Sequence, residues 1–213
     1  MTAKGLPGLG LKSHELGANS PLAVAHAINL AERGFKIFPS HGEAAAKGAK
    51  EAATSDIEAL CDAYRADPSC DYRARCGRDF GLYVLHVPRD RDQQYCEQEF
   101  GALVPTWLST RPSGGTLHWF RASSDDPDLK TIRVRATRAA LLSSAPVPGS
   151  THRASQEKYS WVRGCQPGAC DLARLPRTWL MRLPRVGDIS ITANPVLRPE
   201  FRDRTGHFPS YWQ

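Results

Sequence analysis

The sequence predicts an α+β fold, a mixed central sheet flanked by helices, and three observations carry the prediction. Leu82–Val87 reads Leu-Tyr-Val-Leu-His-Val, apolar on both faces, as a strand in the middle of a sheet must be. Two stretches ahead of it, from Pro21 and from Ser55, space their apolar residues at helical intervals. Behind it, after another helical stretch, Ser113-Gly114-Gly115 opens a second apolar strand over residues 116–120.

Composition narrows the class. With 213 residues, 41% hydrophobic and 23% charged, the chain has the make-up of a globular protein with one sizeable core or two packed modules. Lys and Arg total 28 against 22 Asp and Glu, so the net charge of +6 makes a polyanion the first partner class to test. No signal-like segment follows Met1 and no apolar run is long enough to cross a bilayer, so no membrane partner and a cytoplasmic location are expected. The six cysteines show no C-x-x-C spacing, and reduced thiols are expected. Cys165 and Cys170, with Gln-Pro-Gly-Ala between them, read either as a metal-binding pair or as two thiols in a loop.

In chain order, residues 1–19 lack a sustained period and read as an arm. Ser20 is placed to cap a helix with Pro21 at its first position; Leu22, Ala25 and Ile28, with Val24, Ala27 and Ala31, form its inner face, and Gly34 stops it. A strand over 35–39 leads to a small-residue loop over 41–53 that carries Lys47 and Lys50. Ser55-Asp56-Ile57-Glu58 is a capping box, followed by Ile57, Leu60, Cys61 and Tyr64 on the buried side of the next helix. Pro88 ends the central strand, since proline cannot donate to a ladder. Asp90-Arg91-Asp92 then allows two roles. Asp90 suits a helix cap with Gln93 three residues on and Asp92 in the first turn, while the two carboxylates are also the nearest acidic pair for a metal. This helix turns Cys96, Phe100 and Leu103 inward and stops before Pro105. Strands are expected over 131–135, 141–144 and 159–162, and a helix interrupted at Pro176 over 171–183. The tail, 184–213, is rich in Pro and Arg, so the domain itself spans 20–183.

Two stretches carry a family resemblance. Tyr83-Val84-Leu85-His86-Val87-Pro88 keeps the frame of a strand written V-L-D-V-D, and residues 104–120, Val-Pro-Thr-Trp-Leu-Ser-Thr-Arg-Pro-Ser-Gly-Gly-Thr-Leu-His-Trp-Phe, follow P-x-T-x-x-x-x-T-P-S-G-G-x-H. Together with a P-P-S-x-H-like turn over 146–152 and a Y-x-W-like strand at Tyr159, they resemble the primase-polymerase domain of the archaeo-eukaryotic primase superfamily. The resemblance implies an α/β module joined to an RNA-recognition-like module, with metal-dependent nucleotidyl transfer. It also locates the departures. His86 and Pro88 stand at the two acids of the first strand, Leu117 at the histidine, and Arg133 at the third acid. His118 falls one residue late, which sends a strand side chain to the other face. By the same resemblance Lys47 or Lys50 lies near the nucleotide, and Arg111, Ser113, Gly114, Gly115, Arg133 and Arg135 line the phosphate groove, with Arg121, Arg138 and Arg153 nearby. Trp107 and Trp119 suit either base stacking or the core.

Three functions follow as expectations. The first is a catalytically degenerate primase-polymerase-like protein that binds DNA or a nucleotide without metal or other cofactor. The second is an active primase-polymerase using Mg or Mn on rearranged ligands, Asp90, Asp92 and His118. The third is an accessory that binds a replication or mobile-element protein through the same fold.

Overall fold

The computed structural model describes residues 21–41, 44–45, 48–129, 134 and 137–183. The arm, the tail, Lys47, Arg133, Arg135 and the expected strand over 131–135 therefore lie outside the described residues, apart from Val134, which is buried.

The elements run α1 (Pro21–Ala31), β1 (Ile37–His41), β2 (Ala44–Ala45), α2 (Ile57–Ala66), β3 (Asp71–Arg75), a 3-10 turn (Arg78–Phe80), β4 (Leu82–Val87), α3 (Asp90–Phe100), β5 (Trp107–Thr110), β6 (Thr116–Arg121), β7 (Ala140–Leu141), β8 (Ser144–Pro146), β9 (Ser160–Trp161) and α4 (Arg177–Arg182). They form two sheets, ordered β2-β1-β3-β8 and β7-β4-β6-β5-β9, and every ladder between these strands is antiparallel. The expected single mixed sheet is thus corrected to two antiparallel ones. The reason is visible at β6. Both β4 and β5 run antiparallel to it, so they are parallel to each other, as a strand-helix-strand crossover through α3 demands, but the β5–β6 hairpin folds β6 into the space between them.

β4 lies inside its sheet, between β6 and β7. Its alternate side chains enter two cores. Leu82 and Val84 join Leu117 and Trp119 of β6 in a cluster with α1, α2 and the first sheet, while Tyr83, Leu85 and Val87 join Phe120 in a second cluster with Cys96, Trp179 and Leu180 of α3 and α4.

Several sequence expectations are shifted by a residue or two. In α1 the buried stripe is Ala23, Val24, Ala27, Ile28, Leu30 and Ala31, with Leu22 half exposed; in a helix this apolar, periodicity alone does not choose the face. The cap of α2 is Asp56, not Ser55. Its carboxylate accepts from Glu58 N (2.9 Å) and Ala59 N (3.4 Å), while Ser55 Oγ accepts from Lys36 Nζ (3.1 Å), and Ile57 faces outward. Leu60, Cys61 and Tyr64 are buried. β5, in a stretch expected as loop, is a strand, consistent with the β-branched and aromatic residues around Trp107. The expected strand over 141–144 is two strands, one in each sheet, with Leu142 and Ser143 crossing between them. The helix expected over 171–183 begins only after Pro176, because a proline disfavours helical geometry in the residue before it.

Replacing Asp56 by Ala removes the α2 cap, and a loss of about 1 kcal/mol is expected in chemical denaturation. Ser55→Ala should change stability by less than half as much, and equal losses would contradict the cap assignment.

Candidate nucleotide and nucleic-acid site

The β4–β6 ladder pairs Leu82 with Arg121, Val84 with Trp119, His86 with Leu117 and Val87 with Thr116, without a bulge. Directly opposed residues share a face. His86 and Leu117 therefore stand side by side on the face that carries Val84 and Trp119, and His118, paired with Leu85, lies on the other.

Pro88 completes this end of the sheet through Gly115. A side chain at Gly115 would place its Cβ 2.4 Å from Pro88 Cα and 2.4 Å from Val87 O, and the residue has φ 86°, so glycine is required for β6 to pass the end of β4. The hairpin turn is closed by Arg111 N to Gly115 O (3.1 Å) and Gly114 N to Arg111 O (2.9 Å), leaving Ser113 and Gly114 exposed at its tip. Gly114 has open space around its Cα, so it leaves room for a ligand, whereas Gly115 serves the strand contact. Arg111 sits half-buried at the base of the turn.

Lys50, in the turn after β2, meets the segment that crosses between the two sheets. Its Nζ donates to Ser143 Oγ (3.3 Å), and its carbonyl accepts from Arg75 Nη1. Ser143 belongs to the crossing segment that continues from β7, where Ala140 pairs with His86. Arg73 stands beside it, with Nε to Ser144 Oγ (3.2 Å) and Nη2 to Ser144 O (3.0 Å). Arg73 and Arg75 were not singled out as site residues from sequence, although their alternation with buried Tyr72 and Ala74 is the signal of two cations on one strand face.

The rearranged-ligand residues are spread apart in role. Asp90 is not a cap: Arg89 holds that position without a side-chain hydrogen bond, and Asp90 is the first helical residue, exposed, adding only favourable charge to the first turn. Asp92 is buried, with Oδ1 accepting from Arg138 N (3.3 Å) and Oδ2 having no hydrogen-bond partner among the described residues. His118 is buried beneath α3, sharing a 2.9 Å hydrogen bond between its Nε2 and Thr116 Oγ1 and stacking on Phe120 with centroids 6.5 Å apart. Burial pushes its pKa down to about 4 against a weak opposing pull from Glu97, so it is neutral at pH 7. Among the described residues no three His, Cys, Asp or Glu side chains stand close enough to hold a metal ion.

Other residues named from the sequence lie elsewhere. Trp107 and Trp119 are core side chains whose indole N–H groups donate to Cys170 O and Ser109 Oγ, both at 2.9 Å. Arg121 lies at the opposite end of β6 from Gly115. His152 is buried against Tyr159, with Nδ1 3.0 Å from Ser155 Oγ, and serves its own turn. Cys165 and Cys170 are free and half-buried.

The profile of the family described as bifunctional DNA primase/polymerase, N-terminal, matches residues 27–178. That range contains both sheets and both cores almost whole, and the chain belongs to this family. A comparison with curated proteins found no match.

Two measurements check this geometry. Gly115→Ala should cost about 2–4 kcal/mol in denaturant unfolding, because a Cβ meets the Val87–Pro88 backbone and the residue has a positive φ. For His118 the depressed native pKa means protonation favours the unfolded chain. Stability is full above the ordinary value of 6.5 and falls by about 3 kcal/mol as pH drops from 6.5 to about 4, and His118→Gln should flatten that window.

Proposed function

We propose that this chain is a primase-polymerase-family protein that binds nucleic acid or nucleotide by direct contact with phosphate rather than through metal ions, and that it does not extend primers. The observation that carries the reading is the pairing of His86 with Leu117, beside Pro88 and Gly115. Nucleotidyl transfer by two metals requires clustered carboxylates to hold the ions. The face that the family resemblance assigns to this task presents one imidazole, a proline and a leucine, a donor set that does not fit a pair of divalent cations. His118 and Asp92 do not replace it, because His118 faces the α3 side and Asp92 is buried against the Arg138 backbone.

Phosphate binding suits the residues that remain. The exposed Ser113–Gly114 tip leaves room for backbone contact with an anion, and Lys50 in the turn after β2, with Arg73 and Arg75 of β3, adds positive charge along the segment that joins the sheets. Arg111 at the turn, together with Lys47, Arg133 and Arg135 outside the described residues, belongs to the same proposal. Guanidinium groups hold phosphate through paired hydrogen bonds and need no bridging cation.

The test is binding of single-stranded DNA and of a nucleotide, in EDTA and in Mg or Mn. Affinity should be the same in each, should fall steeply with salt as counterions are displaced, and should weaken by about 1–3 kcal/mol in Lys50→Ala. Loss of binding in EDTA, or primer extension by the wild-type protein with either metal, would overturn the reading.

A further inference from the structure

We propose that a crevice at the far end of β4 and β6, remote from the Gly115 hairpin, is a second phosphate-binding site. Its volume is about 880 Å³, within the size of ordinary small-ligand pockets. It opens where the end of α1, the turn before β4, the end of β6 and the loop over 168–172 meet. Hydrogen bonds hold these parts together, from Ala122 N to Gly81 O (2.9 Å) and from Arg121 N to Ala173 O (2.7 Å).

The charge on its walls decides the ligand class. Arg33, Lys36 and Arg121 line it, against Asp79 and Asp171. Asp79 is paired with Arg78, 3.2 Å away, and Lys36 Nζ donates to Ser55 Oγ, which leaves Arg33 and Arg121 beside the carboxylate of Asp171. Arg33 is also held in place. Its Nη1 donates to Asn29 O (2.7 Å), and its guanidinium lies 5.9 Å from the centre of the Trp107 ring, itself anchored through Cys170 O. A guanidinium fixed in this way loses little side-chain freedom on binding, and its remaining N–H groups suit two oxygens of one phosphate. Arg121 is exposed, with no ion-pair partner among the described residues, and completes the cationic wall.

The phosphate has two sources, a free nucleotide or the backbone of single-stranded DNA, and one experiment separates them. Fluorescence anisotropy in EDTA at low salt would follow the full chain binding either a fluorescent ATP or a labelled oligothymidylate. Arg33→Ala with Arg121→Ala should weaken at least one probe by about tenfold, the loss of two charge-assisted contacts being partly offset by solvent. The probe that responds names the source. Asp171→Asn should tighten the same probe by about two- to threefold, a gain that damage to the fold would not produce. Wild-type affinity for both probes in the double variant overturns the site, as does an Asp171→Asn variant that binds no tighter. A loss confined to Lys50→Ala with Arg111→Ala sinks this inference and leaves the proposed function standing. A loss confined to Arg33→Ala with Arg121→Ala does the reverse.

Discussion

The ladder between β4 and β6 is the constraint on which both the packing and the site depend. Each strand sends alternate residues into separate cores, so all six cross-strand pairs are bound to one register. A slip by one residue would send Trp119 from the α1 side to the α3 side and bring His118 the other way, placing an imidazole where an indole is buried. Such a register is held by several large side chains at once and is not adjustable by any one of them. The position of His86 opposite Leu117 follows from core packing, independent of whatever the site binds.

At the end of this ladder the chemistry changes character. Pro88 cannot continue the hydrogen bonding of β4, and Gly115 brings β6 against it without a side chain between them. The result is a close backbone junction with a short polar tip beyond it. Positive charge gathers instead along the segment that joins the sheets, where Lys50, Arg73 and Arg75 are each fixed by hydrogen bonds to neighbouring backbone or serine hydroxyls. Cations anchored in this way form a field of fixed position, in contrast to the mobile charge of solvent-directed lysines.

The sequence was most legible where one physical signal dominated. The doubly apolar run of β4, the glycine pair before β6 and the inward set Leu60, Cys61 and Tyr64 each had a single structural solution. It was least legible where signals competed. Ser55 and Asp56 both suit a helix cap, and the choice depended on Lys36, which is distant in sequence and occupies the serine. Asp90 has the spacing of a cap, yet the helix starts one residue earlier around the extended backbone of Arg89. The split of 141–144 between two sheets had no local marker, since it depends on which strands are waiting on either side. On the site, His86, Leu117 and Lys50 were legible through the family pattern, whereas the partners of Lys50, Arg73 and Arg75 along the crossing segment required tertiary structure.

The crossing between sheets carries a mechanical consequence. Leu142 N bonds to Val84 O in one sheet and the next residue, through Ser143 O, accepts from Cys76 N just past the end of β3 in the other, so adjacent residues are stitched to opposite halves of the domain. From Leu141 to Ser144 the chain can span only about 10 Å even when fully extended. A strap this short has no slack, so the two halves are held within that distance of each other at this point. The first core, which α1, α2 and both sheets share, lies against the same strap, so opening it would expose buried apolar side chains.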